Sequence, residues 1–88
     1  MAIVRFAQKD GILTFTIEEG LKELESLKGA PNPPRSEFSI QEKDASAGAL
    51  SPKTAEAAVR QLAGSNYRQL QWTVVDENGL GIWEHKPA

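Results

Sequence analysis

Residues 2–9 and 12–17 each alternate apolar and polar side chains, the two-residue period of a half-buried strand. Between them Asp10-Gly11 suits a two-residue type I′ turn, which needs positive φ at both central positions. That turn sets a register of Phe6 opposite Phe15, Val4 opposite Ile17 and Gln8 opposite Leu13. The register gathers Val4, Phe6, Leu13, Phe15 and Ile17 on one face. Arg5, Ala7, Lys9, Thr14 and Thr16 fall on the other, together with Ile3 and Ile12. A slip of one residue would scatter the apolar set, so turn chemistry and alternation specify the same hairpin.

The period then changes. Ile17, Leu21, Leu24 and Leu27 recur at helical spacing and predict a short helix over residues 18–28. Thr16 and Glu19 fit a capping box, Glu18 and Glu19 suit the positive end of the helix dipole, and Gly29 with Pro31 ends the segment. Gly20 in the first turn weakens this helix by up to about 1 kcal/mol. Residues 30–35, rich in proline, form a stiff extended connector. Phe38 and Ile40 alternate within residues 36–41 and predict a short strand, and residues 42–50, poor in large apolar side chains, read as a mobile loop. A second helix over about 51–62 is better marked. Ser51 caps it, Pro52 occupies the first helical position, and Gly64 ends it. Its apolar face is Ala55, Ala58, Val59 and Leu62, and Glu56 and Arg60 stand at a favourable i,i+4 spacing.

The last segment predicts a second hairpin, residues 67–75 and 80–86, turning through Asp76-Glu77-Asn78-Gly79. Here two registers compete. A two-residue Asn78-Gly79 loop pairs Val74 with Trp83 and Trp72 with His85, whereas a three-residue loop pairs Val74 with Ile82 and Trp72 with Glu84. Either leaves one large residue, Ile82 or Trp83, on the face opposite Trp72 together with Val75. The element order β-β-α-(β)-α-β-β predicts an α+β, two-layer sandwich. Its sheet would be antiparallel, of four or five strands, with two helices on one face.

Composition narrows the possible chemistry. A chain of 88 residues with 40% hydrophobic side chains suits one small domain, residues 1–88. Zero cysteines exclude a disulfide framework, a thiolate metal site and a cysteine nucleophile. No apolar run approaches the roughly 18 residues of a membrane span, and Arg5 interrupts the apolar N-terminal stretch where a signal peptide would not, so a cytoplasmic location and no membrane partner are expected. Ten basic and twelve acidic residues, net −2, are spread without blocks of like charge, which argues against a nucleic-acid partner.

No arrangement of residues marks a catalytic or metal centre. The single histidine, His85, lies three residues from the end of the chain and reads as a surface residue. Asp76-Glu77-Asn78-Gly79 lacks the alternating oxygen ligands and distal glutamate of a calcium loop, and Gly79-Leu80-Gly81 lacks the helix that would make it a phosphate cradle. The expectation is therefore no enzyme activity, no cofactor and no metal. Ser51-Pro52-Lys53-Thr54 opening a helix, followed by a hairpin, is similar to the recognition helix and wing of winged-helix DNA-binding domains. That resemblance covers less than half the chain and implies phosphate contacts from Lys53, Arg60 and Arg68. Asp76 and Glu77 would then carry the wrong sign at the wing tip. The remaining signal is surplus apolar surface. Val75, Ile82 and Trp83, with Ile3 and Ile12 if the hairpins adjoin, would form a patch suited to a protein partner or a homodimer. In size, acidity and lack of site chemistry the chain resembles the small accessory or inhibitor proteins of bacteria and their phages. The expected function is thus non-enzymatic protein–protein interaction.

Overall fold

The computed structural model describes residues 1–41 and 51–87, so the loop expected over residues 42–50 lies outside the described residues. The first two strands, β1 (Ala2–Lys9) and β2 (Ile12–Glu19), form the hairpin that alternation and turn chemistry predict. Val4 faces Ile17, Phe6 faces Phe15 and Gln8 faces Leu13. Asp10 and Gly11 take φ of 53° and 76°, the left-handed pair that a type I′ turn requires. On the inner face the Phe6 and Phe15 rings lie 5.4 Å apart in a tilted arrangement.

The first helix is shorter than its apolar stripe suggests. Pairing of β2 with β1 continues past an irregularity to Ile3 opposite Glu19, so Glu18 and Glu19 are strand residues and no capping box forms. The helix α1 spans only Leu21–Glu25. Gly20 makes the change of direction at φ 97°, where a Cβ would come within 2.7 Å of Ala2 Cα. An isolated helix of this length is unstable in water, whereas extending β2 through the irregularity at Glu18 adds the Ile3–Glu19 pair to the ladder, so the strand prevails. Leu24 and Leu27 are buried as the stripe predicts, while Leu21 remains exposed.

Beyond the connector, β3 (Glu37–Gln41) pairs antiparallel with β2, Phe38 facing Phe15 and Ile40 facing Leu13. The second helix, α2 (Pro52–Ala63), follows its sequence signals closely. The Ser51 hydroxyl accepts from the Thr54 amide at 3.2 Å, Pro52 opens the first turn, and Gly64 follows the last. Ala55, Ala58, Val59, Leu62 and Ala63 are buried. The small side chains at 55 and 58 allow close approach to the sheet.

Tyr67–Gln69 forms one 3-10 turn instead of the start of a strand, and β4 is confined to Trp72–Val75, followed by β5 (Gly81–His85). Trp72 explains the difference. Its indole is wholly buried, and the ring N–H donates to the Tyr67 carbonyl at 2.6 Å. A chain extended from 67 to 72 would carry that acceptor out of reach.

The five strands lie in the order β3-β2-β1-β4-β5, with β1 central. The β1–β4 pair is parallel, Val4 beside Val74, and the other three pairs are antiparallel. The sheet is therefore mixed, which corrects the expectation of an antiparallel one. Alternation within a strand specifies which face is buried; it does not specify the neighbour or its direction. The passage through α2 returns the chain beside β1 running the same way. Both helices cover the face that carries Val4, Leu13, Phe15, Trp72 and Val74, and these residues form one core with Leu24, Leu27, Val59 and Leu62. The two-layer α+β architecture thus stands. No helix among the described residues is long and apolar enough to cross a membrane.

Candidate functional site

The conflict of registers in the second hairpin is resolved by a β-bulge. Trp72 faces His85 and Val74 faces Trp83, as in the two-residue alternative, but the register then shifts so that Val75 faces Gly81. Ile82 is the extra residue on β5. The turn explains why. Its hub is Asp76, whose carboxylate accepts the amides of Asn78 at 2.8 Å and Leu80 at 2.9 Å. The Asp76 amide in turn donates to the Leu80 carbonyl at 2.9 Å. This three-residue turn pairs Asp76 with Leu80 and Val75 with Gly81, one residue out of the two-residue register, and the bulge restores the pairing of Trp83.

The bulge brings Ile82 and Trp83 together. Both are partly buried and pack against the core, and with Thr73, Gly81 and Glu84 they line a shallow depression of about 190 Å³. Gly81 leaves it open, because a Cβ built there would meet no atom within 4 Å. Val75 lies outside the depression. It follows buried Val74 and so, like Thr73 and Glu84, faces the side of the sheet away from the helices, next to Arg5 of β1. Trp83, opposite Val74, is on the helix side of β5. Val75 and Trp83 therefore do not share a face.

Among the described residues the outer face carries no continuous apolar patch. Ile3 and Ile12 stand at opposite ends of the first hairpin, and Arg5 lies between them. Its guanidinium is paired with the Glu18 carboxylate and also donates to the carbonyls of Asp76 at 3.0 Å and Glu77 at 3.1 Å. The hydrogen bond from Arg5 holds the Glu18 carboxyl below its ordinary range. A second link runs from the Gln8 amide to the Glu77 carboxylate at 3.3 Å. The turn of the second hairpin is thus fastened to β1.

On the helix side, Trp83 is supported by a polar and aromatic cluster that sequence inspection missed. Its ring stacks on His85 with centroids 6.2 Å apart and planes 11° from parallel. His85 Nε2 lies 3.0 Å from the Arg68 carbonyl. A carbonyl only accepts, so Nε2 carries the proton. The Tyr67 hydroxyl donates to Glu56, and Arg68 donates from Nε to the Tyr67 hydroxyl and from Nη2 to Glu56, each at 3.1 Å. The Tyr67 hydroxyl first, and Arg68 after it, hold the Glu56 carboxyl below its ordinary range. The Glu56–Arg60 pair expected within α2 is replaced by Glu56–Arg68, while Arg60 lies 5.8 Å over the Tyr67 ring. The usable signal was the Trp83-x-His85 spacing, which puts both rings on the face of Trp72.

These contacts also locate the residues of the DNA-binding alternative. Lys53 and Arg60 are exposed on α2 and Arg68 is exposed after it, but Arg60 and Arg68 flank Tyr67, with Glu56 bonded to both Tyr67 and Arg68. The hairpin that would serve as a wing is instead part of the sheet, with β4 paired to β1. Among the described residues no three His, Asp or Glu side chains converge in a way that could hold a metal ion. Comparison of the chain with protein-family models, with curated proteins and with solved structures gives no match.

Proposed function

We propose that this protein is a non-enzymatic binding module that engages another protein through the β4–β5 surface, seating an apolar side chain of the partner against Ile82 and Trp83. The observation that carries this reading is the bulge. It gathers two large apolar residues around an open depression and leaves Gly81, which also lines it, without a side chain. Aromatic residues at the centre of a contact, with a polar rim such as Thr73 and Glu84, are the usual anatomy of a protein interface. The stacked His85 restricts the Trp83 ring, which lowers the entropy lost on binding.

The test uses three versions of the chain immobilised side by side: wild type, Trp83→Ala and Gly81→Val. Gly81→Val fills the depression from a position with free space, so its fold is expected to survive. Host lysate passed over each should leave a protein on the wild type that both variants lose, with unchanged far-UV circular dichroism. Equal retention on all three would overturn the proposal. Retention of nucleic acid that disappears with rising salt would replace it with the reading based on Lys53, Arg60 and Arg68.

A further inference from the structure

The two edges of the sheet, β3 and β5, are finished differently. On β5 the bulge at Ile82 breaks the regular row of backbone groups, and Glu84 and Lys86 place charge along it with Nζ to Oε1 at 3.9 Å. Bulges and charged side chains are the ordinary means by which an edge is protected from pairing with another chain. Strand β3 has neither device among its described residues: it pairs with β2 without irregularity, and its only charged side chain is Glu37.

The direction of the backbone groups on β3 follows from its register. The Ile17 amide donates to the Ser36 carbonyl at 2.8 Å, which makes Ile17–Ser36 a hydrogen-bonded pair. Alternation along an antiparallel ladder then makes Phe15–Phe38 and Leu13–Ile40 hydrogen-bonded pairs as well. The backbone N–H and C=O of Phe38 and Ile40 therefore point to β2, and those of Glu37, Ser39 and Gln41 point away from the sheet.

We infer that β3 pairs with the β3 of a second copy of this chain, antiparallel, about a two-fold axis at Ser39. This register is self-complementary. It places Ser39 opposite the partner's Ser39 and Glu37 opposite the partner's Gln41, so each outward N–H and C=O meets its complement. Phe38 then faces the partner's Ile40 on the helix side, where both side chains are only partly buried in the single chain. Within Glu37–Gln41 no like charges face each other. Pairing about a two-fold axis closes the assembly at a dimer and joins the two sheets into one. This surface is separate from the β4–β5 depression, on the opposite edge of the sheet.

Sedimentation velocity over a concentration series tests the inference. The wild-type weight-average mass should rise toward twice that of the chain. Ser39→Lys, which sets two ammonium groups face to face across the axis, should weaken dimerisation at least tenfold. Ser39→Pro removes the outward N–H together with the hydroxyl that lies 3.2 Å from that of Thr14, and should do the same while keeping the backbone pairing with β2. Ser39→Cys should form a covalent dimer under mild oxidation, and Gln61→Cys on the exposed side of α2 should not. Trp83→Ala should leave the mass series unchanged, which separates this result from failure of the proposed partner site. A wild type that stays monomeric at every concentration, or a dimer indifferent to Ser39→Lys, would overturn the inference.

Discussion

The two hairpins are built from the same materials and end differently. In the first, a two-residue turn and strict alternation demand one register, and pairing runs unbroken from the turn to Val4 opposite Ile17. In the second, Ile82 and Trp83 are adjacent and both large, so no regular register can put both against the core. The chain adds a residue to one strand, and the partly exposed pair that results lines the depression. A local pattern that agrees with itself yields scaffold; one that conflicts yields an irregularity, and here the irregularity forms the candidate site.

The comparison can be broken most severely through the shared core. Trp72→Ala removes a fully buried indole and its bond to the Tyr67 carbonyl, and should cost about 3–5 kcal/mol in urea denaturation, enough to threaten the fold. A smaller loss is expected at the first turn. Gly11→Val forces a β-branched residue to φ 76° and should cost about 1–2 kcal/mol, measured the same way.

The ion pair that holds Arg5, whose guanidinium also bonds the turn of the second hairpin, is sensitive to acid. Because Arg5 lowers the Glu18 pKa in the folded chain from the ordinary value of 4.5, this contact stabilises fully above that value. Its contribution is lost as pH falls through the lowered folded value. Glu18→Gln should therefore lower stability slightly at neutral pH and leave it unchanged below the folded pKa of Glu18, which flattens the acid side of a plot of stability against pH. The smallest effect is expected at Gly81. Gly81→Val should alter stability by no more than about 0.5 kcal/mol, since its Cβ meets open space on an edge strand. A large loss there would mean that the depression is part of the core, and the contrast between scaffold and site would fail.

Much of the fold was legible in the alternation of β1 and β2, in the Asp10-Gly11 turn, and in the Ser51, Pro52 and Gly64 signals around α2. Each is a short-range rule in which neighbouring residues settle their own geometry. The candidate site was legible only in part. Ile82 and Trp83 stood out because they exceeded what one face could bury, whereas Val75 was grouped with them for the same reason and lies elsewhere. His85, Tyr67 and Glu56 were not recognised, since their contacts join residues far apart in the chain.

What the sequence determined by itself was therefore the faces: which side chains of each strand and helix must turn inward, and where the chain must bend. Tertiary structure decided the neighbours. It extended β2 through Glu19 at the expense of α1, drew residues 67–69 out of the strand to meet Trp72, and set β4 parallel to β1. It also chose the bulge over either simple register. The physical reason is common to all four. Burial is specified one residue at a time, but a backbone hydrogen bond or a packed ring needs a partner, and the partner's position is known only when the whole chain has folded.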